Sequence, residues 1–506
     1  MKSRFLTLVL LLVVASATTL VSASDFVVDG LCYAINADGE SVTLSGYEED
    51  PSQLIIPAEV TASGVTYTVT AIGEKAFYCC RTLTSVVIPN TVTTISNFAL
   101  HACTGLTSLT IPSSVITIGE DALSGCNGLT SINVVSGNSK YDSRDNCNAV
   151  IETASNTLVV GCKNTIIPNS VTVIGRGAFY GCYGLKSMTI PGSVHTIGVS
   201  AFSNCDSLTS IVIPNAVTTI GGYAFHHCIA LSSIDIPNSV TTIGEAAFSN
   251  CWALTSVTIP NSVTSIGNTA FLGCTFLASV TIPNSVSYIG FSAFDGTAWL
   301  NNQPNGLVYA GLVAYKYKGT MPSGTSIDIQ EGTKGIAGNA FTRCGGLSSV
   351  TIPNSVTAIG ENAFSFCNGL TSVKIPSLVT FIGHYAFSFC KNLTRIESYP
   401  NPENVTLGSS VFYAVPKANT LHVLPEYLEA YKNANQWSEF QNIVGDLSQP
   451  MVDADLNGDN IVDISDINLV INIMLGKSTL GNGDVNGDGQ VDISDVNAVI
   501  NAMLGK

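Results

Sequence analysis

LTSVTIPNSVTSIGNTAFLGC, residues 254–274, is the clearest copy of a phrase that runs through most of the chain. Its core, Ile-Gly-x-x-Ala-Phe or a close variant, begins at Ile72, Ile95, Ile118, Ile174, Ile197, Ile220, Ile243, Ile266, Ile289, Ile336, Ile359 and Ile382. Those are twelve copies, and nine of the eleven intervals are 23 residues. A fixed period of this length marks a solenoid: one unit cannot bury its own apolar side, so units stack and share a core. A stack of this kind offers a long binding surface and gives no reason to expect a catalytic cleft.

Within the copy, Leu254, Val257 and Ile259 point inward from a short strand, L-x-x-V-x-I. Pro260 ends it, because proline cannot donate to a strand ladder, and Pro260-Asn261-Ser262 is turn chemistry. Val263 and Ile266 return to the core, Gly267 is expected to turn a tight corner, Ala270-Phe271 packs the far wall and Cys274 closes the coil. Stacked strands then form a parallel sheet. The full motif, L-x-x-V-x-I-P-x-x-V-x-x-I-G-x-x-A-F-x-x-C over about residues 67–397, resembles the BspA-like, treponemal-type leucine-rich repeats. The resemblance implies a curved right-handed solenoid of short parallel strands with a mostly irregular, turn-built convex side. It also implies extracellular or cell-surface binding, often of host or matrix proteins, and it names no ligand.

Two intervals break the period: 56 residues between Ile118 and Ile174, and 47 between Ile289 and Ile336. Both insertions, about residues 134–166 and 297–323, read as β-hairpins. The first is expected to turn at Thr153-Ala154-Ser155-Asn156, the second at Ala310-Gly311. Residues 24–66 read as an N-terminal hairpin cap, 398–447 as a C-terminal capping unit with one helix, and 448–453 as a linker.

Charged residues are 11% of the 506-residue chain and hydrophobic residues 46%, dispersed as an interior ladder requires. Past the N-terminus no run of 18 apolar residues occurs, so no spanning helix is expected. The net charge of −16 and the scarcity of clustered Lys and Arg exclude a nucleic-acid partner. Residues 1–23 read as a secretory signal: Lys2 and Arg4, an apolar run from Phe5 to Val14, then Val21-Ser22-Ala23, with cleavage after Ala17 as the alternative. No Cys follows either site, so the mature protein is expected to be secreted or held at a surface, and not lipid-anchored.

Of the fifteen cysteines, eleven share one repeat slot, from Cys80 to Cys390. Parallel side chains on rungs about 4.8 Å apart do not converge as a disulfide needs, which favours a buried thiol ladder over ladder disulfides. Cys147 and Cys162 fall opposite each other across the first hairpin, as a disulfide or as two free thiols on its apolar face.

The acidic C-terminus carries two twelve-residue loops, 29 residues apart, with matching oxygen donors. Asp455, Asn457, Asp459, Asp463 and Asp466 occupy positions 1, 3, 5, 9 and 12 of the first, with the Ile461 carbonyl at 7. Asp484, Asn486, Asp488, Asp492 and Asp495, with the Gln490 carbonyl, do the same in the second. This donor set suits a hard cation, so two Ca²⁺ ions are expected. Each loop leads into a helix, Asp466–Lys477 and Asp495–Lys506, with apolar residues at helical spacing and with Gly476 and Gly505 as C-caps. The pair resembles a type I dockerin over about residues 454–506, a small all-α module of paired EF-hand-like loop-helix units. That implies docking to a cohesin module on a scaffold or surface protein through positions 10 and 11, here Ile464-Ser465 and Ile493-Ser494, in either of two orientations. Ile at position 10 departs from the Ser or Thr of many clostridial dockerins, which leaves the partner's identity open. A calcium-stabilised cap without a cohesin partner is the alternative.

Catalytic motifs are lacking: no G-x-S-x-G, H-E-x-x-H or P-loop occurs. Outward strand positions are Ser and Thr, as at Thr107, Ser108, Thr110, Thr209, Thr255 and Ser256, a surface for a protein or glycan ligand or plain soluble filler. His226-His227, Trp252, Phe276, Phe366 and Phe389 beside the Cys slot, and Trp299, Tyr309, Tyr315 and Tyr317 in the second insert, are the aromatic candidates for contact. His226-His227 has no acidic neighbour in sequence to complete a metal site. A non-catalytic binding or adhesion protein is the first reading. The second is a substrate-targeting component, or an enzyme, of a polysaccharide-degrading complex.

Overall fold

The computed structural model describes residues 24–448, 456, 462–477, 483–485 and 490–503. The signal segment 1–23 and most of the 448–453 linker lie outside them. Contacts divide the chain into two units, residues 1–263, 269–281 and 294–301, and residues 264–268, 282–293 and 302–506.

The first unit opens with three antiparallel strand pairings, one of them Leu31–Ile35 with Ser41–Tyr47. Phe26–Val28 pairs with Leu31–Ile35, and Glu59–Ala62 with Val65–Ile72. Their turns, Asp29-Gly30 and Ser63-Gly64, have positive φ at both residues, the mirror-image geometry that matches strand twist. Val65–Ile72 then runs parallel to Thr94–Ile95 and starts the repeats.

Each coil is tied to the next on three walls. The expected strand is one: Ser187–Thr189 pairs in parallel with Ser210–Val212, and Ser256–Thr258 with Ser279–Thr281. A second ladder, which the repeat reading did not anticipate, uses the two residues before each repeat glycine. Val173–Ile174, Thr196–Ile197, Thr219–Ile220 and Thr242–Ile243 pair in register. On the third wall, Phe179, Phe202 and Phe225 donate their N–H groups to Ala201, Ala224 and Ala247 of the following coil at 2.7–2.8 Å.

The repeat glycine does not turn a corner. A Cβ on Gly198, Gly221 or Gly244 would meet backbone atoms of the preceding coil at 2.6–2.8 Å, so glycine is required for close approach. The left-handed residues come three and seven positions after the repeat Ile, for example Ser200 (φ 56) with Asn204 (φ 57), and Tyr223 (φ 58) with His227 (φ 58).

Inside the coils the phenylalanines stack. Phe179, Phe202, Phe225, Phe248, Phe271 and Phe294 form one column, with centroids 5.0–5.4 Å apart and planes within 11°. The second unit repeats this with Phe341, Phe364, Phe387 and Phe412 at 5.1–5.7 Å. Beside the column runs the cysteine ladder. The thiols of Cys205, Cys228, Cys251 and Cys274 donate to the carbonyls of Phe179, Phe202, Phe225 and Phe248, one coil back, at 3.0–3.2 Å. Burial pushes the thiols of Cys182, Cys228 and Cys274 up to about 12, so they remain protonated.

Both inserts are hairpins whose second strand substitutes for a ladder rung. Thr157–Gly161 pairs with Val173–Ile174, and Val313–Lys318 with Gly335–Ile336. The second turn is Gly311-Leu312, one residue beyond the expected Ala310-Gly311, because Ala310 pairs with Val313 and Gly311 takes φ 60. In the first hairpin a bulge between Val150 and Ile151 sets Ala149 opposite Gly161. Cys147 and Cys162 are therefore out of line, and both are free, buried thiols; Cys162 faces the Asn148 carbonyl at 3.7 Å.

The repeats end in a parallel sheet of Ser372–Ile375, Arg395–Ser398, Thr420–Val423 and Asn442–Val444, beside the helix Leu428–Asn433; Tyr431 on that helix and Trp437 beyond it are buried.

Two outcomes test this core. Phe225→Ala opens a gap in the middle of the aromatic column and should cost about 3–5 kcal/mol in denaturant unfolding; a loss below about 1 kcal/mol would show that the column does not hold the coils. Denatured without reductant, the protein should titrate as fifteen thiols. The native protein should react first at exposed Cys79. Thirteen thiols after denaturation would restore the Cys147–Cys162 disulfide.

Candidate functional site

The C-terminal loops bring their position-12 carboxylates into matching cradles. Asp466 and Asp495 are fully buried. Asp466 accepts from the N–H groups of Leu456 (2.7 Å) and Asp463 (2.9 Å), and Asp495 from those of Val485 (2.6 Å) and Asp492 (2.8 Å). At position 9, Asp463 and Asp492 accept from the backbone N–H and hydroxyl of Ser465 and Ser494 at 2.5–2.8 Å, which lowers their carboxyl pKa values. Asp463 also caps the first helix.

Positions 9 and 12 of the first loop and 1, 7, 9 and 12 of the second are thus described, and all are oxygen donors. Asp455, Asn457, Asp459, Ile461, Asn486 and Asp488 lie outside the described residues. Among the described residues alone, no cluster of three His, Cys, Asp or Glu side chains could hold a metal. The oxygen donors that are described fit a hard cation.

The helices run Ile464–Met474 and Ile493–Met503, starting two residues before the expected Asp466 and Asp495. The early start places Ile464-Ser465 and Ile493-Ser494 on the first turns. Gly476 (φ 66) closes the first helix, with the Lys477 N–H returning to the Asn472 carbonyl at 2.8 Å; Gly505 lies outside the described residues. Each apolar stripe splits. Val470, Val485, Val496 and Val499 form a small core, whereas Ile471, Met474, Ile500 and Met503 are exposed. Ile464 and Ile493, 67% and 65% exposed, extend that apolar surface. The Ser465 and Ser494 hydroxyls are engaged with the loop carboxylates.

On the solenoid, some of the hydroxyls beside the strands bond the preceding coil. Thr209 and Thr394 donate to the carbonyls of Lys186 and Thr371, 23 residues back, at 3.2 and 3.1 Å. In the turns, Ser193, Ser262 and Ser355 donate to Val171, Val240 and Thr333 at 2.6–2.8 Å. These residues staple coils, a role the repeat reading did not anticipate.

The aromatic candidates divide. Tyr315 is buried, and Tyr309 and Tyr317 pack on the core. Trp299 packs edge-on against Phe294 at 5.2 Å. Trp252, Phe276 and Phe366 are exposed. His227 does have an acidic neighbour, Asp206 at 3.4 Å, contributed by the preceding coil and 21 residues away in sequence. No helix among the described residues is long and apolar enough to cross a membrane.

Comparison with known proteins agrees with this geometry. Residues 60–159, 159–276, 195–304 and 313–439 match the BspA type leucine rich repeat region, and residues 453–504 the dockerin type I domain. Neither is a catalytic module, and type I dockerin domains bind calcium. A leucine-rich repeat protein from Bacteroides ovatus is similar at 28% identity over 83% of this chain and 99% of that one, with a TM-score of 0.33. A leucine rich cell surface protein from Faecalibacterium prausnitzii is similar at 24% identity over 84% and 99%, with a TM-score of 0.32. No curated protein matches. With its repeats matched over more than half its length, the chain belongs to the BspA type leucine-rich repeat family and carries a type I dockerin domain at its C-terminal end.

Proposed function

We propose that this is an exported, non-catalytic binding protein that docks to a cohesin module through its C-terminal domain and holds a protein or glycan ligand on its solenoid. The observation that carries the docking half is the bond-for-bond equivalence of the two loops. Leu456 and Asp463 hold Asp466 as Val485 and Asp492 hold Asp495. Each loop would hold one Ca²⁺ through positions 1, 3, 5, 7, 9 and 12, two ions in all. Calcium would neutralise the carboxylates of each loop and so fix the helix pair, whose buried core is four valines. The exposed Ile464 and Ile493 surfaces are near copies, which supports docking in either orientation.

A second reading, a substrate-targeting component of a polysaccharide-degrading complex, is supported by the same docking module joined to a largely uncharged solenoid. Arrays of matrix proteins and glycans probed with the intact protein separate the two. Matrix-protein binding favours adhesion, and glycan binding favours substrate targeting.

Calorimetry of the full chain should find two calcium ions, falling to one in Asp466→Asn or Asp495→Asn. Calcium at a hundredfold excess over its Kd should stabilise the C-terminal module by about 2.7 kcal/mol per site. An unchanged melting transition in chelator would remove the calcium assignment. Ile464→Asp or Ile493→Asp alone should leave cohesin binding within about threefold, while the double variant should lose it, because one surface remains when the other is spoiled. Complete loss from either single change would mean one fixed orientation.

A further inference from the structure

We propose that the last coil and the cap of the solenoid carry a binding site for a neutral carbohydrate, with Tyr413 as its stacking platform. This rests on reading the solenoid as a ligand-binding module, and it names a place and a ligand class for that module. The site is a cleft of about 300 Å³, lined chiefly by Ser409, Ser410, Tyr413, Asn435, Gln436 and Glu439.

Tyr413 is 57% exposed, yet neighbouring rings fix it in place. It meets Phe389 edge to face at 5.3 Å, Phe389 stacks on Phe366 at 4.4 Å, and the Arg343 guanidinium lies over Phe366 at 5.8 Å. Each member of this row comes from a successive coil. Arg343, Phe366 and Phe389 adopt φ of 62°, 61° and 57°. The equivalent slot elsewhere holds Gly125, Gly181, Asn204, Asn250 and Gly273, but also Cys79, Ala102 and His227, so the left-handed backbone belongs to the repeat and the row is distinguished by its ring contacts.

The lining selects the ligand's chemistry. Glu439 is matched by Lys417 at 3.1 Å, so the cleft offers no unpaired charge to an ionic ligand. The Gln436 amide builds the wall, accepting from the Val411 N–H at 2.8 Å and donating to the Gly408 carbonyl at 2.7 Å. The Asn435 amide and the Ser410 and Tyr413 hydroxyls have no hydrogen-bond partner among the described residues. An apolar ligand would strip water from those groups without replacing it. A pyranose satisfies both demands: its C–H face lies on the electron-rich ring of Tyr413, and its hydroxyls reach the amide and hydroxyls.

Affinity electrophoresis of the full-length protein in gels containing soluble β-glucan, xylan or galactomannan, with pectate as the anionic contrast, tests this. At least one neutral polysaccharide should retard the protein. Tyr413→Ala and Asn435→Ala should each weaken that binding by about tenfold, and Tyr413→Phe should retain most of it. Retardation by no neutral polysaccharide, or by pectate alone, overturns the proposal. So does neutral-polysaccharide binding that survives both Tyr413→Ala and Asn435→Ala at full strength, although that result would leave a glycan-binding solenoid intact with its site elsewhere. A matrix-protein array on the same preparation tests the broader reading independently.

Discussion

The rise from one coil to the next is set by backbone hydrogen bonds on three walls, and the side chains conform to it. Parallel strands sit about 4.8 Å apart, and the buried phenylalanines, at 5.0–5.4 Å, stack at nearly that interval. Flat rings tolerate this spacing in an offset stack. A Cβ at the repeat glycine does not, since it would fall within 2.8 Å of the coil behind. The recurrent features of the phrase permit this rise, with Ser96 and Ala337 replacing the glycine in two of the twelve copies.

The same constraint explains how so few charges suffice. Every coil presents carbonyls that the next coil does not fully use, and short side-chain donors placed one period on reach them. Serine serves in the turn, threonine beside the strand and cysteine in the interior. A thiol is apt for the interior slot because it packs as a small hydrophobe and still donates weakly. The inserts respect the rise as well. The ladder before each hairpin ends at Thr117–Ile118 or Tyr288–Ile289, and the hairpin's second strand opens the next one.

The dockerin domain is built on the opposite principle. Among the described residues its apolar core is four valines with a few half-buried neighbours. Type I dockerin domains bind calcium, and coordination of the acidic loops would supply order that this small core does not.

The repeat period alone determined the solenoid, the ladder of buried residues and the free state of the repeat cysteines, because each rests on local patterning copied at a constant interval. The twelve-residue donor pattern of the two acidic loops is likewise a local property of the sequence. Tertiary structure decided what depends on two coils meeting. Gly198 looks like a corner residue until the preceding coil's backbone occupies the space beside it. The Thr209 hydroxyl looks outward until the Lys186 carbonyl appears beneath it. Asp206 and His227 become neighbours only across a coil boundary, and the bulge after Val150 separates Cys147 from Cys162. The Tyr413 cleft gathers residues from the last coil and the cap. A periodic sequence states what each coil is made of; which groups face each other across 23 residues, and which remain open to a ligand, is settled by the rise that stacks them.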